Sequence, residues 1–335
     1  MNLEFHYWVT GILAKHAGFE PEEAKVIAYS SQYVDDNDME IKVFDDHIDE
    51  IPSYVNNISQ TMNILLPRRD LMQIYPIFHF IPGDQSESSP RSDEKKNVLN
   101  TTPDSNYARK IMEISLEKAA LKFTSGDYES ALCRIGICSH SYVDTWSHQN
   151  FVGANNDYNS LGGNYIPNVG HADALHYPDW VSHRWTDPRL VEPEINNNLR
   201  FMTAARKLYY HYLTYLESIN RKTEDDWNQI EGKLLQIFGK TYSGDKNEKT
   251  ATRFKKYAAE APYLKKYRAD EWLGNGLKVI GSWDSTDRYT ERFVWKVPSK
   301  KEKSLWYKFQ ESVKEHVSDS MPVLAPAFEE AGIHI

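Results

Sequence analysis

Apolar residues recur at helical spacing through most of the chain, and polar or Gly/Pro punctuation cuts the pattern into segments. Leu3, Tyr7, Ile12 and Leu13 predict a first helix that Gly18 ends. Glu20-Pro21 opens a second, which runs through Ile27 and Tyr29 to Tyr33 and finishes in Asp35-Asp36-Asn37-Asp38. Ile41, Val43 and Phe44 predict a short strand, and a helical or irregular passage follows near Met62–Leu66. Thr102-Pro-Asp-Ser105 starts a long helix through Ile111, Ile114, Leu116 and Leu121. Ser125-Gly126-Asp127 closes it, and Asp127 caps a helix that continues to about Phe151. Further helices are predicted over 199–219, 224–238 and 251–267, a hairpin or insertion over 277–297, and a last helix over 305–323 interrupted by Pro322 and Pro326. The pattern is that of a mainly α protein with minor β or irregular insertions.

Between these segments lie two informative stretches. Ile74-Tyr-Pro-Ile-Phe78-His79-Phe80-Ile81 surrounds one histidine with bulky apolar residues, which predicts a buried ring needing partners for both nitrogens. Residues 171–180 read His171-Ala-Asp173-Ala-Leu-His176-Tyr-Pro-Asp179-Trp180. Five of the chain's 12 histidines fall between His140 and His183, a clustering that packing alone does not account for. By contrast, 84–100 is rich in Ser, Asp, Glu, Lys and Asn and reads as a surface loop, and His47 lies among acids as a surface residue.

The helix ending near Phe151 carries the most specific chemistry. His140, Asp144 and His148 recur every four residues and therefore share one face. Ile135, Tyr142, Val143 and Trp146 lie opposite, and Gly136, one turn earlier, is expected to leave open space above the stripe. With a rise of about 1.5 Å per residue, the two imidazoles are about 12 Å apart along the axis. That span suits two ions better than one, with Asp144 between them as a bridge. An exposed polar face, or histidines hydrogen-bonded in a core, is the competing reading. The acids at 35, 36 and 38 oppose the helix dipole and repel one another, which calls for a cation or a solvated turn.

Composition narrows the classes. The chain has 335 residues, 40% hydrophobic, with 21 Tyr, 9 Trp and 13 Phe, enough for a large core. A formal charge of −9 argues against a broad nucleic-acid-binding patch, but not against a site made locally positive by metal. Cys133 and Cys138 stand about 140° apart around one helix, so they are expected as free thiols. No basic region followed by an apolar run opens the sequence, and no stretch approaches the ~20 apolar residues that span a bilayer, so a cytoplasmic location is expected.

Taken together and in order, Glu4-Phe-His6-Tyr, Tyr33-Val-Asp35-Asp36, Phe78-His79-Phe80, His140-xxx-Asp144-xxx-His148, Gly170-His171-Ala and Pro178-Asp179 resemble a bacterial family within the zinc-dependent phospholipase C and single-strand nuclease superfamily. The resemblance covers roughly residues 1–185. It implies a multi-helix bundle around two or three Zn2+ ions that hydrolyses phosphate esters. His6 is similar to the early family histidine. Processed relatives use their amino terminus as a ligand, and Glu4 is expected in that place here. Asp35 or Asp36 resembles the aspartate that holds one zinc near the attacking water, and His79 a further ligand of that zinc. His140 and Asp144 match the helix histidine and its bridging aspartate. His148 and His171 resemble ligands of the third zinc, whose expected carboxylate position falls on Leu175, so Asp173, His176 or Asp179 must fill that role.

The expected organisation is a metal-binding core over 1–190 with a helical part over 191–335 packed on it. The expected catalytic groups are Asp35, Asp36 and Asp144. The expected substrate is a phosphate ester such as a phospholipid, in a pocket with Trp146, Phe151, Tyr158 and Tyr165 as candidate walls. A single-strand nuclease or nucleotide phosphohydrolase, and a non-catalytic metal-stapled interaction protein, are the alternatives.

Overall fold

The first predicted helix forms in two geometries. In the computed structural model, which describes residues 1–45, 51–61, 63, 68–162, 168–223, 226–283 and 289–334, Glu4–Val9 is π-helical and runs directly into α1, Thr10–Ala17. Such turns are rare and concentrate at functional sites, and this one carries His6. Gly18 ends α1 at φ +118°, a left-handed angle that strains any side chain. Pro21 then opens α2, Pro21–Asp36, where Glu20 and Glu23 exchange the two bonds of a capping box.

Next come β1, Lys42–Phe44, β2, Tyr54–Val55, and the short helices α3, Arg68–Met72, and α4, Tyr75–Phe78. Ser105 caps α5, Asn106–Thr124, by accepting from Ala108 N at 3.1 Å. Asp127 stands at the N-cap of α6, Tyr128–Ser147, but its carboxylate accepts from Lys308 instead of capping the helix. An irregular stretch follows, and then β3, Arg184–Thr186, β4, Glu194–Asn196, α7, Asn197–Ser218, α8, Trp227–Phe238, and α9, Thr250–Glu260. The chain closes with α10, Glu271–Gly276, the hairpin β5, Leu277–Trp283, and β6, Tyr289–Trp295, and α11, Leu305–Glu330.

The architecture is mainly α. Every residue of α6 from Ser130 to Ser147 is buried, because α2, α5, α7 and α11 pack around it. The helix is thus the axis of the core, and its polar stripe lies inside the protein. The hairpin joins β1 and β2 in a sheet of order β2-β1-β6-β5, with β1 parallel to β6 and Val43 opposite Phe293. One apolar cluster runs from Met1 to Ile333, and α7 and α11, both beyond residue 190, pack on α6. Cys133 and Cys138 are free and buried, and burial pushes both thiols up to about 12. Among the described residues, no helix is long and apolar enough to cross a membrane.

Four local expectations are corrected. A Cβ on Gly136 would meet Ser30 Cβ at 2.4 Å and Ile27 O at 2.5 Å, so the space above the stripe is filled by the α2 backbone. Helix α9 stops at Glu260, short of 267, since Pro262 restricts Ala261 to φ −122° and ψ 65°. Helix α11 instead continues through Pro322 and Pro326. The two prolines sit four apart on its exposed side, while Leu324, Ala327 and Phe328 hold the other face in the core. Within 84–100, Arg91, Leu99 and Asn100 are buried, the Arg91 guanidinium lying 4.1 Å over the Tyr158 ring. His47, Tyr165 and most of the 62–66 passage lie outside the described residues.

Candidate metal centre

The π-helical turn supplies His6, and the last turn of α2 supplies Asp35. His79 is the residue just after α4, while α6 contributes His140 and Asp144 and ends on His148. Two short 3-10 turns, Ala172–Ala174 and Tyr177–Asp179, bring in His171 and Asp179.

Asp144 is the hub of this convergence. Its Oδ2 lies 3.2 Å from His79 Nδ1, 3.3 Å from His140 Nε2 and 3.6 Å from His148 Nδ1. Its Oδ1 lies 3.1 Å from His6 Nε2 and against the Met1 nitrogen. Asp35 approaches the same rings, 3.6 Å from His140 Nε2 and 3.9 Å from His79 Nδ1. On the other side, Asp179 places one oxygen 3.3 Å from His148 Nε2 and the second 3.3 Å from His171 Nε2. Three sets therefore have donor atoms within 4.8 Å of one another: His6, His140 and Asp144; Asp35, His79 and His140; His148, His171 and Asp179. His140 and His148 serve different sets, as their separation along the helix requires.

The proton positions decide what these sets suit. A carbonyl only accepts, so a ring nitrogen facing one carries the hydrogen. His79 Nε2 faces Ser59 O at 2.9 Å, His140 Nδ1 faces Ser31 O at 2.7 Å, His148 Nδ1 faces His79 O at 2.6 Å, and His171 Nδ1 faces Leu175 O at 2.7 Å. In the neutral ring the other nitrogen is then a lone pair, and each of these nitrogens points at carboxylate oxygens. His79 Nδ1 and His140 Nε2 even face each other at 3.2 Å. Lone pairs crowded against anionic oxygens repel unless a cation lies between them, and a carbonyl behind each imidazole is how metal-binding histidines are held. His6 is fully buried; among the described residues neither of its nitrogens makes a well-aligned hydrogen bond, although Nε2 lies 3.1 Å from Asp144 Oδ1, and this fits the same reading.

Electrostatics point the same way. Burial raises the pKa of Asp35. Burial would also raise Asp144, but His148, the Met1 amine, His140 and His6 outweigh it and hold the carboxyl well below its usual range. Asp179 is likewise held low against burial, by His171, the amine and His148. Burial works against a charged Met1 amine and a charged His140, yet the carboxylates raise both. His6 and His148 go the other way: burial first, with the neighbouring cationic groups behind it, holds both rings toward the neutral form, His148 down to about 4.

One pH effect arises beside the cluster. His316 on α11 is 2% exposed, and burial brings its pKa down to about 4. In an unfolded chain the same ring titrates near about 6.5. Between those values the unfolded state holds the extra proton, so this contribution is complete above about pH 6.5 and is lost as pH falls toward about 4. In chelator-treated protein it is expected to give a slope of about 1.4 kcal/mol per pH unit, which His316→Gln removes. Urea midpoints measured between about pH 7 and about pH 5 check this.

The centre is open on one side. A cleft of about 400 Å³ has Asp35, His79, His148, His171, Asp179 and Met1 at its base, with Gln60, Thr61, Tyr75, Phe80, Leu175 and His176 as walls. Asp35 retains 26% side-chain exposure there. No lysine or arginine lines the cleft among the described residues.

Several expected positions lie elsewhere. Asp36 is exposed and accepts from Tyr267 OH at 2.7 Å and Gln32 Nε2 at 3.1 Å, because it points away from the face that Asp35 occupies. His176 is exposed and stacked near Trp180 at the cleft wall, in none of the three sets. Asp179 is the carboxylate that meets His148 and His171, whereas Asp173 accepts from Leu161 N at 2.8 Å. Glu4 is committed to Arg253 at 2.5 and 2.8 Å, so the Met1 nitrogen, not Glu4, reaches Asp144 and Asp179. Trp146, Phe151 and Tyr158 are core residues, and Tyr75 and Phe80 line the cleft in their stead. The carbonyls of Ser31, Ser59 and Leu175 had no sequence signal, since any residue type offers one.

A family of unknown function, DUF6765, matches residues 1–323. The chain belongs to the DUF6765 family. No curated protein and no solved structure matches it. All the converging side chains of this DUF6765 member, from His6 to Asp179, fall inside the matched span.

Proposed function

We propose that this chain is a zinc-dependent hydrolase of phosphate esters, similar in its site to phospholipase C, with two or three ions held by His6, Asp35, His79, His140, Asp144, His148, His171 and Asp179. The observation that carries the reading is the set of imidazole nitrogens facing Asp35, Asp144 and Asp179, with Asp35 and Asp179 lining an open cleft and Asp144 buried beneath it. When bound there, divalent cations supply Lewis acidity toward phosphate oxygens and lower the pKa of water.

The chain's own residues supply the rest. Asp144 faces both sides of the centre and keeps them at a fixed spacing. Asp35 is the carboxylate of the first sets that faces the cleft, and so the one placed to take a proton from an incoming water. With no lysine or arginine on the walls, an anionic group is drawn by the ions alone. Tyr75, Phe80 and Leu175 favour a substrate with an apolar group beside its phosphate. A non-catalytic metal staple is a poorer fit, because structural sites are closed, and a nuclease gains no support from the charge of −9.

The test is to load the protein with zinc, measure its metal content, and incubate it with phospholipid liposomes, single-stranded DNA and bis(p-nitrophenyl) phosphate. Turnover of the liposomes or the small diester is expected, and EDTA is expected to abolish it. Full metal content with no hydrolysis of any of the three would sink the enzyme reading, and cleavage of DNA alone would favour the nuclease.

A further inference from the structure

We infer that Asn37 is a positioning residue for the metal centre, braced from the last helix by Gln310; the inference rests on the metal-binding reading above. Asn37 follows α2 directly and is 4% exposed, with its side-chain amide, its side-chain oxygen and its backbone carbonyl all engaged. Its side-chain amide donates to Asn57 O at 2.8 Å and to Ser59 Oγ at 3.1 Å. Its Oδ1 accepts from Gln310 Nε2 at 2.8 Å and from Asn56 Nδ2 at 3.2 Å. Its backbone carbonyl accepts from Ser59 N at 3.0 Å and Gln60 N at 3.4 Å.

These bonds converge on the strip 56–61. Ser59 is held at its N–H and at its hydroxyl, which itself donates to Val34 O at 2.9 Å. Its carbonyl is the group that receives His79 Nε2–H and so turns His79 Nδ1 toward Asp144 and Asp35. The next two residues, Gln60 and Thr61, are a wall of the cleft. Asn37 also ends the helix that carries Asp35 and the Ser31 carbonyl behind His140. One buried amide thus fixes the aim of His79 and the cleft wall relative to α2.

A hydrogen-bonding partner one step behind a ligand matters because a free imidazole rotates, and losing such a partner costs roughly 10–100-fold in metal affinity. Asn37 stands two steps behind His79, and its side chain hydrogen-bonds both to the Ser59 hydroxyl and to Gln310 of α11.

Three variants test this on the full chain: Asn37→Asp, which keeps the shape but replaces the donor amide; Gln310→Met, which removes the brace from a distance; and Tyr54→Phe, which removes the bond to Glu311 at 2.7 Å one position along α11. Each is titrated with Co2+ and followed by visible absorption, alongside elemental analysis and thermal unfolding of the metal-free form. Asn37→Asp is expected to weaken at least one Co2+ site about tenfold or more and alter its spectrum. Gln310→Met is expected to change it in the same direction, less, and Tyr54→Phe to bind as the parent does.

A parent chain that takes up no metal would overturn the metal-binding reading itself. A parent that binds while folded Asn37→Asp and Gln310→Met bind with the same affinity and spectrum overturns the positioning role alone. Should Asn37→Asp not fold, Gln310→Met decides, and equal losses in Gln310→Met and Tyr54→Phe would assign the effect to general loosening of α11 and overturn the proposal.

Discussion

Asp144→Asn is expected to empty the centre and lower phosphodiester turnover by more than the roughly 10–100-fold that losing an outer-shell partner costs. The reason is connectivity. This carboxylate alone faces His6, His79, His140 and His148. An amide of the same shape keeps one acceptor, loses the charge that favours a cation, and turns an N–H toward nitrogens or a buried amine that need an acceptor. The fold is expected to survive, because α6 is held by the apolar faces of α2, α5, α7 and α11. Elemental analysis of the purified variant, read beside its circular dichroism, checks both halves. A variant that retains its metal and its turnover would refute the site.

Gly136→Ala is expected to be the more damaging change to the fold. The new methyl meets Ser30 Cβ at 2.4 Å, Ile27 O at 2.5 Å and Ser31 N at 3.0 Å, and two of these are backbone atoms that cannot swing aside. Helices α2 and α6 must separate, at a cost of about 3 kcal/mol, the upper end of the usual overpacking range. The same shift draws Asp35 and the Ser31 carbonyl away from His140, so metal affinity is expected to fall with stability. Gly274→Ala, with nothing within 4 Å of its new methyl, is the matched control for a helical glycine. Urea unfolding of both variants, with and without zinc, measures the difference.

What the sequence made legible follows from periodicity and from side-chain identity. The stripe His140, Asp144, His148 depends only on residue type and helical spacing, and those side chains do converge. The apolar surroundings of His79 predicted a buried ring, and it is 2% exposed. Choosing between Asp35 and Asp36 needs the azimuth of α2 against α6, which one sequence does not provide. Asp179 was one of three candidates because the turns after His171 are not periodic. The Arg253–Glu4 pair spans 249 residues, beyond any local pattern, and it withdraws Glu4 from the site. The prolines of α11 misled for another reason: tertiary burial of one helical face outweighed a local preference that normally ends a helix.

The docking of α11 has a consequence for how the molecule is assembled. Arg134 on the central helix reaches Glu315 and Asp319 at 2.7 and 2.6 Å, His316 lies beside Ser141 at 3.3 Å, and Gln310 touches Asn37. A nascent chain emerges from its first residue onward, so all eight converging side chains are synthesised long before α11 exists to press on them. The cluster is therefore braced by an element translated after every side chain that converges in it.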